Sequence, residues 1–193
     1  MVSVPVAGGG QAGRGSARRD QLIDVTISLI AERGLAGTTL SRIAAAAGVT
    51  NAAVLYFFKT KDAVIQAACE WAVALTVTAV QDAVEQAPSP RAAIDAYVRA
   101  LVKHLSAHPE HVSVLVEMGR SGGAGEERRW LPVAQLIEAA QRDGDIRLLD
   151  ARTAAISLLG AVDGMFAEAL TDPSYDLAAA TDTVLELFDR AVR

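Results

Sequence analysis

A chain of 193 residues that is 51% hydrophobic but only 5% aromatic can bury a core without covalent staples, and its apolar content suits helices packed closely on helices rather than a β-sandwich. Its single cysteine, Cys69, excludes an internal disulfide framework and any paired-cysteine metal or redox motif. No basic leader precedes a long apolar run, and no uncharged run reaches the ~18 residues of a membrane span, so a soluble cytoplasmic protein with no membrane partner is expected. The net charge of −5 is uneven: residues 1–61 carry seven basic and three acidic side chains, whereas the remainder carries eleven basic and twenty acidic ones. A basic N-terminal third on an acidic protein suits contact with a polyanion.

Residues 1–15, with Ala7-Gly8-Gly9-Gly10 and Gly13, lack apolar periodicity and are expected to form a flexible arm. From Arg18 to Arg33 the positions Leu22, Val25, Leu29 and Ile23, Ile27, Ile30 form two adjoining stripes at helical spacing, so this helix must pack against more than one neighbour. Gly34 is its expected stop. Thr38 and Thr39 offer capping hydroxyls to a short second helix, Leu40 to Ala47, and Gly48 ends it. Thr50 caps a third helix running from Asn51 to Phe58. Two short helices joined by a tight glycine-containing turn form a helix-turn-helix.

In the third helix Val54 and Phe58 share a face and are expected, with Val49, to plug a three-helix core. Tyr56 and Phe57 point elsewhere, beside the basic Lys59-Thr60-Lys61, which fits a surface that meets DNA. Phe57 has a second reading, packing on the following helix. Arg42 near the start of the second helix and Lys61 at the start of the fourth are both unfavourably placed for the helix dipole, which suggests phosphate contacts.

Beyond Asp62 about six more helices are expected, giving about nine in all. A long one runs from Lys61 to about Gln86, and Ala87-Pro88-Ser89-Pro90 stops it. The next runs from Arg91 to Ala107, and Pro109 begins another. Ser121-Gly122-Gly123-Ala124-Gly125 reads as a flexible loop, and Arg128 to Arg142 as the following helix, broken by Asp143-Gly144. The last two, about Asp150 to Leu170 and Leu177 to Val192, carry Ile156, Leu159, Val162, Phe166 and Val184, Leu187, Phe188, Ala191. These faces exceed what one contact hides and suggest self-association, with Gly160, Ala161 and Gly164 permitting close approach.

His104, His108 and His111 fall in one segment with Glu110, and His104 and His108 are spaced to share a helix face. Pro109 breaks the helix between them and His111, which weakens a metal reading. Cys69 reads as a core residue rather than a redox sensor. Trp71, Tyr97, Met118, Trp130, Met165 and Phe166 are core candidates, some of them able to line a ligand cavity. Asp163, in an apolar run, is either an interface group or a pocket group.

Arg18 to Ala68 resembles the DNA-binding domain of the tetracycline-repressor (TetR) family of bacterial transcriptional regulators. The segments that carry the resemblance are Ile30-Ala31-Glu32-Arg33-Gly34, Thr38-Thr39-Leu40-Ser41-Arg42-Ile43-Ala44, Ala47-Gly48-Val49-Thr50 and Phe58-Lys59-Thr60-Lys61-Asp62. The chain departs from the family at Leu55, where a tyrosine is usual, and at Ser41, where arginine is frequent.

The resemblance implies an all-α chain: a helix-turn-helix domain over residues 16–62, then a larger helical effector-binding and dimerisation domain over 63–193. It further implies a regulator, a repressor rather than an enzyme, that needs no cofactor. Such a regulator binds a palindromic DNA operator as a homodimer through its last two helices and is released by a small hydrophobic effector. Thr50, Asn51, Ala52 and Tyr56 are then base-reading candidates, Arg18, Arg19, Thr39, Arg42 and Lys61 are backbone contacts, and Ser41 and Phe57 are further DNA-binding candidates. Trp71, Tyr97, His104, Met118, Trp130, Asp163 and Phe166 are effector-binding candidates. The alternative is a helical metal-binding protein or metalloenzyme using His104, His108 and Glu110.

Overall fold

The computed structural model describes residues 12–120 and 129–193, with side chains from 15–115 and 129–193. The described residues are helical throughout their regular structure: α1 (Ala12–Gly37), α2 (Leu40–Ala46), α3 (Asn51–Phe58), α4 (Lys61–Glu85), α5 (Pro90–Ala107), α6 (Pro109–Arg120), α7 (Leu131–Arg142), α8 (Ala151–Thr171) and α9 (Leu177–Val192). The glycine-rich segment 121–125 and residues 1–11 of the expected arm lie outside the described residues. Residues 12–15, expected in that arm, belong to α1.

Helix α1 breaks where glycine allows it. Gly34 adopts φ 67° and ψ 174°, and the chain resumes one more turn to Gly37. Thr38 does not cap α2: it is buried, and its hydroxyl donates to the Gly34 carbonyl at 2.9 Å, closing the break. Thr39 is the cap, accepting from the Arg42 backbone N–H.

Both stripes of α1 are used. Leu22, Ile23, Ile27, Leu29 and Ile30 are buried, and they share one core with Ile43, Val54 and Phe58 from the two short helices. That core does not stop at Asp62. It continues along α4 through Val64, Ala68, Cys69 and Ala72, and it takes in Val114 from α6. Cys69 is thus a packing residue, and burial, with Glu70 nearby, pushes its thiol pKa up.

The second core joins α5, α7, α8 and α9 around Ile94, Val98, Ile137, Leu158, Leu159, Val162, Phe166 and Leu185. Its far end is sewn shut by the backbone: Arg147 N–H donates to the Val192 carbonyl at 2.8 Å, and its Nε donates to the Ala191 carbonyl at 2.9 Å. Arg91 also pairs with Asp189 at 3.1 Å, tying the start of α5 to α9. Two helices, α4 and α8, are by length and composition alone apolar enough to cross a membrane, although charges interrupt both. Here α4 packs on α1, α5 and α6, and α8 packs on α7 and α9.

Ile43 is fully buried where α2 meets α1. Its truncation removes about 2–5 kcal/mol through lost transfer energy and a residual cavity. Urea denaturation of Ile43→Ala is expected to report a loss in that range.

Candidate nucleic-acid interface

Local hydrogen bonds set α3 before any tertiary contact does. Thr50 sits in extended conformation and accepts from Ala53 N–H at 3.2 Å, starting α3, while Gly48, with φ 65°, makes the turn from α2. Val54 and Phe58 then point into the core, and Val49 is partly buried beside them. The remaining positions must face outward, and they do: Asn51, Ala52, Leu55 and Tyr56 are exposed, Tyr56 at 74%. Phe57 is partly buried against the N-terminal core and meets Tyr56 edge to face at 5.2 Å, so it supports the tyrosine rather than standing beside it on the surface.

Asn51 is held in place. Its Nδ2 donates to Ser41 Oγ at 3.3 Å, which links α3 to α2 and leaves one amide N–H and the carbonyl oxygen turned outward. Thr39 is consumed by its cap. Arg42 donates through Nη1 to the Gly37 carbonyl at 2.5 Å, so it clips the end of α1 to α2 while staying exposed. Arg18 bonds Gln21 Oε1 at 2.5 Å, and the Arg19 guanidinium lies 5.1 Å from the centre of the Phe58 ring.

Lys59 joins α3 to α4 in a strained backbone. It has φ 63° and ψ −40°, and Thr60 N–H donates to the Phe58 carbonyl at 2.7 Å, which is a γ-turn centred on a non-glycine residue. This reversal lets Thr60 cap α4 through Ala63 N–H at 3.0 Å. It also sets Lys61 on the first turn of α4, while the Lys59 ammonium lies 5.9 Å from the Tyr56 ring centre. The arrangement is an outward polar and aromatic helix face flanked by Arg18, Arg19, Arg42, Lys59 and Lys61. Sequence reasoning treated Leu55 only as a departure, yet it lies on the same outward face, 37% exposed.

The effector candidates do not converge on one pocket among the described residues. Tyr97 and Trp130 pack on the C-terminal core, and Phe166 is part of it. Burial pushes the Tyr97 hydroxyl pKa up, against the pull of Arg129. Trp130 is stacked by Arg152 at 4.8 Å, and Asp163 is on the surface, bonded by Arg129 at 2.5 Å. The Met118 side chain lies outside the described residues. Trp71 lines a different space, a cleft of about 610 Å³ between α1, α4 and the start of α6.

His104 stands next to that cleft. The break at Pro109 does not separate the histidines: His108 ends α5 at φ −132° and ψ 68°, the chain doubles back, and His111 returns onto His104 with Nδ1 3.2 Å from its Nε2. Burial first, then neighbouring imidazoles, hold His104 and His111 below the ordinary histidine pKa, despite the opposing pull of Glu110. Burial pushes Glu110 up, but its own backbone N–H and His108 outweigh that and keep it low.

Two short helices in a tight turn, the second turned outward and both seated on a third, define a helix-turn-helix domain. Residues 22–68 match the family described as bacterial regulatory proteins, tetR family. The metalloenzyme alternative gains no support from these likenesses. An HTH-type transcriptional regulator BetI of Burkholderia ambifaria is 36% identical over 84 residues, 43% of each chain. The chain spans between 26% and 43% of the length of the curated relatives it matches.

Among solved structures, SmeT, the repressor of the Stenotrophomonas maltophilia multidrug efflux pump SmeDEF, aligns with TM-score 0.75 and 25% identity over 90% of this chain and 89% of that one. A putative regulator of Saccharomonospora viridis, solved in complex with choline, aligns with TM-score 0.79 and 19% identity over 92% and 98% of the two chains. The latter shows the fold.

A glycine at position 59 removes backbone strain of about 1–3 kcal/mol, of which about 0.4–1 kcal/mol is returned through the freer unfolded chain. Lys59→Gly is expected to raise stability by about 1 kcal/mol in chemical denaturation.

Proposed function

We propose that the protein is a DNA-binding transcriptional regulator, a repressor that grips a palindromic operator as a homodimer and lets go when a small molecule binds. The observation that carries this reading is the outward face of α3. Asn51 is braced by Ser41 with one N–H and its carbonyl free, the donor and acceptor pair that matches an adenine edge, and Ala52 and Tyr56 stand on either side of the same groove-facing surface. Arg42, Lys59 and Lys61 supply positive charge for phosphates from α2, the α3–α4 turn and the first turn of α4, and Arg18 and Arg19 add to it from α1. Thr50 and Thr39 serve as caps, so their part in recognition is to aim the helices.

Dimerisation through α8 and α9 is supported by what those helices leave uncovered. Ile156 is 48% and Leu187 61% exposed, and a Cβ built at Gly160 or Gly164 meets nothing within 4 Å. Leu159, Val162 and Phe166, expected on the same face, are buried within the chain instead, so the proposed interface is narrower than the sequence suggests. The effector is a small, largely hydrophobic molecule taken into the C-terminal bundle near Tyr97, Trp130 and Phe166. Choline is a ligand of the Saccharomonospora viridis protein, and at 19% identity its chemistry is not carried over. A cytoplasmic location follows from this reading.

Positioning and reading contacts separate by their sequence dependence. Lys61→Ala is expected to weaken binding to all DNA sequences alike and lower the salt slope by about one, whereas Asn51→Ala costs about 1–3 kcal/mol and relaxes preference at one base pair. Footprinting of purified protein on genomic fragments, followed by titrations at several salt concentrations, checks both. Equal, sequence-independent losses remove Asn51 from the reading set.

A palindromic site requires two reading helices about 34–36 Å apart, or a multiple of that spacing. Leu187→Glu places a charge on the proposed dimer face and is expected to give monomers by analytical ultracentrifugation. It should also reduce operator affinity by far more than it changes affinity for a single half-site.

A further inference from the structure

We infer that His108, Glu110 and His111, at the corner between α5 and α6, form a binding site for a divalent transition-metal ion of the zinc class. One potential ligand atom from each lies within 4.8 Å of those of the other two. A zinc ion bonded at 2.0–2.1 Å holds tetrahedral ligands about 3.3 Å apart. One edge already has that length, since His108 Nδ1 is 3.3 Å from Glu110 Oε1. The other edges close by turning His108 and Glu110, whose side chains are 46% and 36% exposed, the first on a backbone that has left the helix.

The side chains around the three ligands suit a cation. His111 is 4% exposed, and its polar contact is the His104 ring at 3.2 Å. When His111 Nδ1–H donates to His104 Nε2, the His111 Nε2 lone pair is free to bind a metal, and His104 fixes the ring from behind as a metal-bound imidazole usually requires. The cleft at this corner is lined by Asp24, Glu32 and Glu110 and, among its described residues, by no Lys or Arg. Imidazole with carboxylate selects zinc, nickel or copper over magnesium or calcium, and three protein ligands leave a position for water or a further donor.

The site lies where α6 meets α1, with Asp24 of α1 acting electrostatically on His111. An ion there faces Asp24 of α1, which lines the same cleft. The claim concerns a ligand of the folded chain and no catalysis, and it stands apart from the DNA-binding reading.

The test is titration of the full chain, free of any histidine tag, with zinc by calorimetry and with cobalt(II) by absorption. One equivalent per chain and the ligand-field bands of a four-coordinate cobalt site are expected. His104→Ala is expected to weaken affinity by about 10–100-fold, the usual effect of removing a group behind a ligand. The double variant His108→Ala/Glu110→Gln, which changes two accessible side chains, is expected to lose stoichiometric binding while keeping its helical circular dichroism. The inference is overturned if the wild-type chain takes up no stoichiometric zinc, if cobalt gives only six-coordinate bands, or if the folded double variant binds as the wild type does. DNA titration of the same variants reads the operator proposal separately, so either can fail alone.

Discussion

The rest of the structure depends on the burial of α1 on two sides at once. One stripe, with Ile23, Ile27 and Ile30, cannot be hidden by two helices of seven and eight residues, so the fold supplies α4 and α6 to finish the job. Val114 of α6 is fully buried in the same core as Ile43 and Val54. The helix-turn-helix is therefore not a bead on a linker. A shift of α6 must either drag α1 or open a cavity, and a cavity around side chains of this size costs several kcal/mol.

That coupling gives physical content to regulation at a distance. Interfaces packed like a protein interior have a few discrete arrangements rather than a continuum, so a ligand that prefers one arrangement biases the placement of the reading helices. The same constraint obliges DNA and any such ligand to alter each other's affinity by the same factor. The corner holding the three histidines and the cleft beside Trp71 both touch the α1 seam, whereas Tyr97, Trp130 and Phe166 lie in the other core. The two cores meet along α4 and α5, which pack on one another, and through α6, which puts Val112 in one and Val114 in the other.

The outward face of α3 is built by contrasts of strength. Its caps and the Ser41–Asn51 bond are short-range and inexpensive, each worth about 1 kcal/mol, and they fix direction rather than stability. The γ-turn at Lys59 runs against stability, and it persists because the buried Phe58 and Val64 on either side leave the chain no room for a gentler connection. Strain next to the flanking lysines is where the fold gives up local comfort to set the angle between α3 and α4.

Most helix starts and stops were legible because their causes lie within four residues of where they act. Thr39 and Thr50 cap as the sequence implies, Gly34 and Gly48 take positive φ, and the bounds of α3 and α9 are those expected. The outward placement of Asn51, Ala52 and Tyr56 followed from periodicity once Val54 and Phe58 were assigned inward. Periodicity could not say that Thr38 would be buried, that Arg42 would clip Gly37, or that Leu159 and Val162 would turn to α7 and α9 rather than outward. Nor could it bring His111 back onto His104, because Pro109 announces a break but not the direction of the chain after it. Local hydrogen bonds and repeat spacing are written in neighbouring residues, whereas which apolar face meets which, and so which polar groups are left side by side, is decided only when all the helices compete to bury the same core.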